Sequence, residues 1–136
     1  MGWGMGDIIG VFKLAVKVYT AYKDAPKEYQ HISEEVMSLQ VNIDKIAQYF
    51  ERNTLSDDNW LLCQKELECC QSILKDLDSF IEKHPGLASV NTYQGGIAIL
   101  KERLISNQVL LTDFIERFEI LTTTLEYIKL IPLPQL

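Results

Sequence analysis

Few side chains in this 136-residue sequence belong to the types that catalyse reactions or bind metals. The two histidines, His31 and His84, lie far apart in the sequence, and neither belongs to a recognised catalytic or metal-binding motif. Three cysteines are present, two of them adjacent, and their spacing matches neither a zinc site nor a disulfide framework. No glycine-rich phosphate-binding loop occurs. The sequence therefore predicts a protein that is not an enzyme and has no cofactor or metal.

The cysteines and paired acidic residues have simpler structural interpretations. Cys63 and Cys70 are seven residues apart on one helical seam, so we expect them to pack in the core as small apolar side chains. Cys69 points off that seam and is a candidate exposed thiol. Glu34-Glu35 and Asp57-Asp58 are expected to be solvated charges. An odd number of cysteines without a disulfide pattern indicates a reducing, cytoplasmic environment.

Charge is distributed unevenly along the chain. The formal net charge is −6, and an acidic domain is a poor partner for a phosphate backbone, so nucleic-acid binding is not expected. Residues 1–23 nevertheless contain three lysines and a single acidic residue, Asp7. A basic, apolar N-terminal segment is thus attached to an acidic body.

Apolar residues recur at alternating steps of three and four, which is typical of helices with one apolar face. Turn-forming residues near Pro26, at 53–56 and at 84–86 divide the chain into four helical patterns. We predict an all-α, antiparallel bundle of four to five helices over residues 1–129, followed by a C-terminal tail or the start of a linker at 130–136. The residues expected to form the core seam are Ile32, Val36, Leu39, Ile43, Ile46, Leu67, Leu74, Leu77, Leu104 and Phe114.

The fourth helical pattern is unusually long. Its apolar seam runs from Ile97 to Ile128, about 47 Å as a helix, so we expect a kink or a break between Arg117 and Thr124. Asn107 is the only polar residue of this seam. It is either a helix-end or kink residue facing a loop, or a buried amide that sets the register of the helix.

The first helix, in residues 1–23, has more apolar surface than docking into one groove requires. Its apolar residues cover about half of the helix circumference, and Gly2, Gly6 and Gly10 recur every four residues on the other side. It is therefore either a central helix with several neighbours or a membrane-active segment that binds anionic lipid. The candidate membrane-active residues are Gly2, Trp3, Gly6, Ile8, Ile9, Gly10, Phe12, Lys13, Val16 and Lys17.

Several segments of the sequence resemble HeLo-like domains, which stand at the N-terminus of fungal NLR-type (STAND) receptors and cell-death effectors. The matching segments are Gly6-Asp7-Ile8-Ile9, residues 13–19, residues 21–26, residues 32–36 with 38–39, residues 70–74 with 76–77, and Leu104-Ile105-Ser106-Asn107. The resemblance implies a helical-bundle executioner of programmed cell death, similar in form to the four-helix domain of the mixed-lineage kinase domain-like pseudokinase.

The resemblance also implies how such a domain acts. It would move from the cytoplasm to the plasma membrane on activation, oligomerise through its N-terminal helix and form pores, under the control of an NLR receptor or an amyloid-signalling partner. By position it places membrane action on Gly6, Ile8, Ile9, Phe12, Lys13, Val16 and Lys17.

Two other functions agree with the same residues. One alternative is a helical protein-interaction module of an NLR-like receptor that never acts on lipid. The other is a constitutive membrane-surface adaptor that uses its first helix as an anchor. Vesicle leakage separates the first alternative from a pore-forming domain, and the fraction bound to membranes without a trigger separates the second.

Overall fold

The computed structural model describes residues 3–52, 57–83 and 90–132. These residues form four helices, α1 (Met5–Tyr22), α2 (Lys27–Glu51), α3 (Asp57–Lys83) and α4 (Val90–Leu130), and contain no strand. The helices pack against one another around one apolar core. The prediction of an all-α helical bundle is confirmed, with four helices.

Each helix of the bundle has two principal neighbours. α1 and α4 both pack against α2 and α3, so α1 and α4 lie diagonally opposite each other. The backbone N–H of Trp3 donates to Gln64, near the start of α3, and Lys17 reaches Asp78, near the end of α3. Since both contacts advance together along the two helices, α1 and α3 run parallel.

The contacts of α4 show its direction in the same way. Arg103 pairs with Asp76 and Asn107 donates to Glu66, so residue numbers rise on α4 as they fall on α3 and these helices are antiparallel. The neighbours α2 and α4 run parallel, because Glu35 and Tyr49 of α2 contact residues 108 and 118 of α4 in that order. The chain therefore forms two antiparallel pairs, α1–α2 and α3–α4, and the consecutive helices α2 and α3 lie at diagonally opposite corners of the bundle.

The core consists of one apolar stripe from each helix. All ten predicted seam residues of α2, α3 and α4 are buried, and none is more than 8% exposed. The stripe of α1 contributes Ile8, Val11, Ala15, Val18 and Tyr22. The phenol of Tyr22 donates to the backbone oxygen of Leu77 at 2.8 Å, which joins the end of α1 to α3, and burial raises its pKa above the usual value.

The predicted break in the fourth helix is wrong, because α4 is one uninterrupted helix of 41 residues. Threonines lower helix propensity only by fractions of a kcal/mol each, up to about 0.7 kcal/mol. The hydroxyl of Thr122 donates to the backbone oxygen of Phe118 at 2.9 Å, so its polar group is satisfied within the helix. The local preference is too weak to break a helix of this length.

The C-terminal part of α4 extends past the other helices. α2 ends at Glu51, and Tyr49 near that end lies beside Phe118 of α4. The apolar seam of α4 continues beyond this level through Leu125 and Ile128, which are both exposed. The bundle thus covers the seam only as far as Phe118, since Leu121 is already 37% exposed.

Candidate functional site

The candidate site is the outer face of α1, because most of the residues predicted to act on membranes belong to this helix. α1 is not a central helix with several neighbours: it occupies one corner of the bundle and contacts mainly α2 and α3, as α4 does from the opposite corner. Its wide apolar arc is therefore only partly covered. Ile9 is 44% exposed and Val16 is 40% exposed.

The structure separates the predicted membrane-active residues into three groups. Ile8 is fully buried, whereas Trp3 and Phe12 are half-buried and pack against the core. Gly2 lies outside the described residues. The remaining candidates form the exposed outer face, which we define as Gly6, Ile9, Gly10, Lys13, Val16 and Lys17. The buried side chain of Ile8 could meet lipid only if α1 left the bundle.

The two exposed glycines leave a shallow, open strip on the outer face. A Cβ atom built on Gly6 or on Gly10 would meet no other atom within 4 Å, apart from the helix itself and its chain neighbours. The bundle therefore does not require glycine at either position for packing. Glycine inside a helix costs up to about 1 kcal/mol relative to alanine, so these two residues weaken α1 without improving the closed fold.

Asp7, the only acidic residue of α1, has a structural role at the start of the helix. Its carboxylate accepts the backbone N–H of Gly4 at 2.8 Å and lies in the first helical turn. A negative charge at this end interacts favourably with the helix dipole. Asp7 therefore stabilises the helix end. The outer face as defined above carries only positive charge, from Lys13 and Lys17.

Besides the bond from Tyr22 to Leu77, two side-chain contacts hold α1 against α3. The ammonium group of Lys17 lies 2.9 Å from a carboxylate oxygen of Asp78 and 3.9 Å from one of Glu82. The hydrogen bond to Asp78 is the main reason that the pKa of Lys17 is raised. At the other end of α1, the backbone N–H of Trp3 donates to the side-chain oxygen of Gln64 at 2.9 Å. We call the Lys17–Asp78 pair the latch.

Lys13 differs from Lys17 in its surroundings. It is exposed, and no ion pair is found for it among the residues that the structure describes. In the closed bundle, Lys13 is therefore free to meet an anionic surface, whereas Lys17 must first separate from Asp78.

Sequence reasoning did not identify Asp78 or Gln108. Asp78 is one of many acidic residues on α3, and only the parallel packing of α1 and α3 brings it to Lys17. Gln108 lies beside the seam of α4 but is buried, and its amide donates to the backbone oxygen and the carboxylate of Glu35. No sequence signal distinguishes it from an exposed glutamine.

Asn107 is a buried amide and not a helix-end residue. It is 4% exposed in the middle of α4, and its side-chain nitrogen donates to the backbone oxygen of Glu66 at 2.9 Å. Its side-chain oxygen is buried without a hydrogen-bond partner. Because Asn107 lies inside α4 and packs against α3, the interpretation as a helix-end residue facing a loop is wrong.

The cysteines and acidic residues form no candidate site for chemistry in the described chain. Burial raises the pKa of the Cys63 and Cys70 thiols to about 12, whereas Cys69 is exposed. Within residues 3–52, 57–83 and 90–132, no group of three or more histidine, cysteine or acidic side chains could hold a metal ion. None of the helices, in the portion described, has the length and hydropathy needed to cross a bilayer.

Comparisons with known proteins identify no relative. The chain matches no protein-family description, no curated protein and no solved structure. The resemblance to HeLo-like domains therefore stays a prediction from the quoted sequence segments.

Proposed function

We propose that this protein is a latent membrane-permeabilising domain of the cell-death type, whose first contact with lipid is made by the outer face of α1. The observation that supports this most directly is the composition of that face. It combines half-exposed Ile9 and Val16 with Lys13 and Lys17, which is the combination of apolar and basic groups that binds an anionic membrane interface.

The contacts of α1 suggest two stages. In the first, the outer face adsorbs to lipid while the bundle stays closed, using Ile9, Lys13 and Val16. In the second, the latch separates, α1 leaves α2 and α3, and buried side chains such as Ile8 become available to the bilayer or to other copies. Since α1 carries three charged residues, we expect it to act in an oligomer and at the interface.

Dye release from vesicles containing anionic lipid tests the first stage. Deleting residues 1–23 would remove five buried side chains and is expected to unfold the bundle, so exposed point substitutions are the better choice. The double variant Ile9→Ser/Val16→Ser should melt as the native chain does but should bind vesicles less tightly and release less dye. Val41→Ser is the matched control, because Val41 is 51% exposed on α2. Equal leakage from the double variant and the native chain would refute the role of α1.

A variant of the latch tests the second stage. Asp78→Ala removes the principal partner of Lys17 without changing α1 itself. We expect faster dye release when the variant and the native chain are compared at equal amounts of vesicle-bound protein, because the barrier to releasing α1 is lowered. Asp76→Ala is the control on the same helix, since Asp76 pairs with Arg103 of α4. Identical leakage rates for the two variants would show that the latch does not restrain α1.

A protein-interaction module is the second candidate function, and the exposed apolar surface of α4 favours it. Ile120 is 66% exposed, and many of the other exposed large apolar side chains also belong to this helix. If the native chain binds no vesicles of any composition, the membrane proposal is wrong and the interaction module is the better assignment.

A further inference from the structure

The outer side of α4 carries an arrangement of residues that is complementary to itself. At 100° per residue, Ile99, Glu102, Arg117 and Ile120 all lie on the side opposite the buried seam, together with Val109 and Leu110. The four apolar residues of this set are exposed, by 60% for Ile99. We define these six residues as the α4 ridge.

From this arrangement we infer that two copies of the chain associate through the α4 ridge, with the two α4 helices antiparallel and the two-fold axis between Val109 and Leu110. In this register Glu102 of each copy lies at the level of Arg117 of the other, and Ile99 lies at the level of Ile120. Val109 and Leu110 meet at the axis. Ser106 and Asp113, two exposed residues on the same side of α4, also lie at each other's level, so the Asp113 carboxylate meets a hydroxyl group and no like charge. Opposite charges and apolar side chains are therefore matched along the contact.

The charges of the ridge favour this direction over a parallel one. In a parallel, in-register pair, Glu102 would face Glu102 and Arg117 would face Arg117, which is repulsive. Arg103, beside the ridge, is already paired with Asp76 of its own chain at 3.2 Å. Glu102 has no ion pair in the described part of its own chain, so its carboxylate is available to a second copy.

The length of α4 agrees with the same register. The helix runs from Val90 to Leu130, and its middle residue is Leu110. An axis between Val109 and Leu110 therefore overlays the two helices along nearly their whole length. The part of α4 that extends past its own bundle then lies beside the first turns of α4 in the second copy.

The size of the contact predicts a dimer of modest affinity. A 41-residue helix is about 60 Å long, and a stripe about 10 Å wide covers roughly 600 Å² on each copy. Stable complexes bury about 800 Å² per partner, so this contact lies at the small end of the range for specific association. We expect a dissociation constant on the order of micromolar.

The inference does not depend on the proposed membrane activity. α1 lies diagonally across the bundle from α4, so its outer face stays open in the dimer. Dimerisation concerns the closed bundle in solution and is measured without lipid. Either proposal can therefore fail while the other stands.

Sedimentation equilibrium of the full chain between about 1 and 200 µM tests the inference, together with charge reversals. Glu102→Arg or Arg117→Glu alone should weaken the dimer at least about tenfold. Each substitution gives residues 102 and 117 the same charge, and the two-fold symmetry brings these residues together at two places in the dimer. The double variant restores opposite charges and should restore dimerisation. Glu34→Arg, an exposed reversal on α2, should have no effect. Melting curves confirm that all four variants fold.

Disulfide crosslinking tests the register in a Cys69→Ser background, which leaves only buried native thiols. Leu110→Cys should crosslink to itself near the two-fold axis. Ile99→Cys should not, because two copies of residue 99 would be about 30 Å apart, but it should crosslink to Ile120→Cys in a mixture.

Four results would overturn the inference. The native chain could stay monomeric over the whole concentration range. The single reversals could leave the dimer unchanged, which would place the contact elsewhere. Failure of the double variant to recover, or self-crosslinking of Ile99→Cys, would exclude the antiparallel register.

Discussion

Two neighbouring buried amides on α4 are predicted to respond in opposite ways to the same substitution. Asn107 and Gln108 are both more than nine-tenths buried, but they differ in how well their polar atoms are satisfied. We predict that Asn107→Leu raises the free energy of unfolding and that Gln108→Leu lowers it.

Both polar atoms of the Gln108 side chain form hydrogen bonds. Its nitrogen donates to the backbone oxygen of Glu35 at 2.9 Å and to a carboxylate oxygen of Glu35 at 2.6 Å, and its oxygen accepts from Asn42 at 3.1 Å. Replacing it with leucine leaves the carboxylate of Glu35 and the amide of Asn42 without these partners. Bonds to a charged group contribute about 1.5–3 kcal/mol, so we expect Gln108→Leu to cost about 1–3 kcal/mol.

Only the nitrogen of the Asn107 side-chain amide forms hydrogen bonds. Its nitrogen donates to the backbone oxygen of Glu66 at 2.9 Å, which also accepts a bond within α3, and to the Glu66 carboxylate at a longer 3.3 Å. Its oxygen is buried without a partner. An unsatisfied buried acceptor costs about 1–3 kcal/mol, which offsets what the nitrogen's two bonds contribute, because the bond to the Glu66 carboxylate is long and that half-buried carboxylate can bind water instead. The residue borders an open groove between α3 and α4, which leaves room for leucine. We therefore expect a small gain, of up to about 1 kcal/mol.

Urea denaturation followed by circular dichroism at 222 nm measures both effects. The midpoint should rise for Asn107→Leu and fall for Gln108→Leu at an unchanged slope. In thermal melts each kcal/mol should shift the midpoint by roughly 3–5 °C for a chain of this size. Shifts of the same sign for both variants would contradict the reasoning, because it would mean that hydrogen-bond satisfaction does not decide the outcome.

Three further predictions concern the core, the thiols and the outer face of α1. Leu77→Ala should cost about 2–5 kcal/mol in urea melts because the side chain is fully buried, whereas Leu62→Ala, at a half-exposed position, should cost far less. Burial raises the pKa of Cys63 and Cys70 from 9.0 to about 12, and unfolded thiols ionise first, so unfolding free energies measured between pH 9 and 12 should fall as pH rises. Gly10→Ala should stabilise the bundle by up to about 1 kcal/mol, while Gly10→Leu should keep normal melting but block dye release if close approach of α1 helices in lipid is required.

The seams of the bundle could be predicted because burial selects apolar side chains at steps of three and four. The ten seam residues recognised in the sequence are buried, and Cys63 and Cys70 lie in the core beside them. The weak helix propensity of single residues was a less reliable guide to where a helix breaks. The threonines at 122–124 indicated a break, but the hydrogen-bonded continuity of α4 outweighs their small individual cost.

The order of helices around the bundle could not be predicted, because apolar seams do not specify which helices become neighbours. The latch depends on that order: Lys17 and Asp78 are 61 residues apart and meet only because α1 and α3 run side by side. The same is true of the amide of Gln108, whose partner Glu35 is 73 residues away. For the candidate site, the sequence therefore indicated the basic and apolar residues of α1 but not the contacts that restrain them.

The placement of the consecutive helices α2 and α3 at opposite corners of the bundle has a consequence for the order in which the protein folds. The pairs α1–α2 and α3–α4 are hairpins between helices adjacent in sequence, so each can form early at little cost in loop-closure entropy. Hydrogen bonds between the hairpins join residues 55 to 73 positions apart, including Tyr22 with Leu77 and Gln108 with Glu35. Folding would then end with the docking of two preformed halves along their apolar stripes. Their polar cross-contacts would form late and set the alignment of one half against the other.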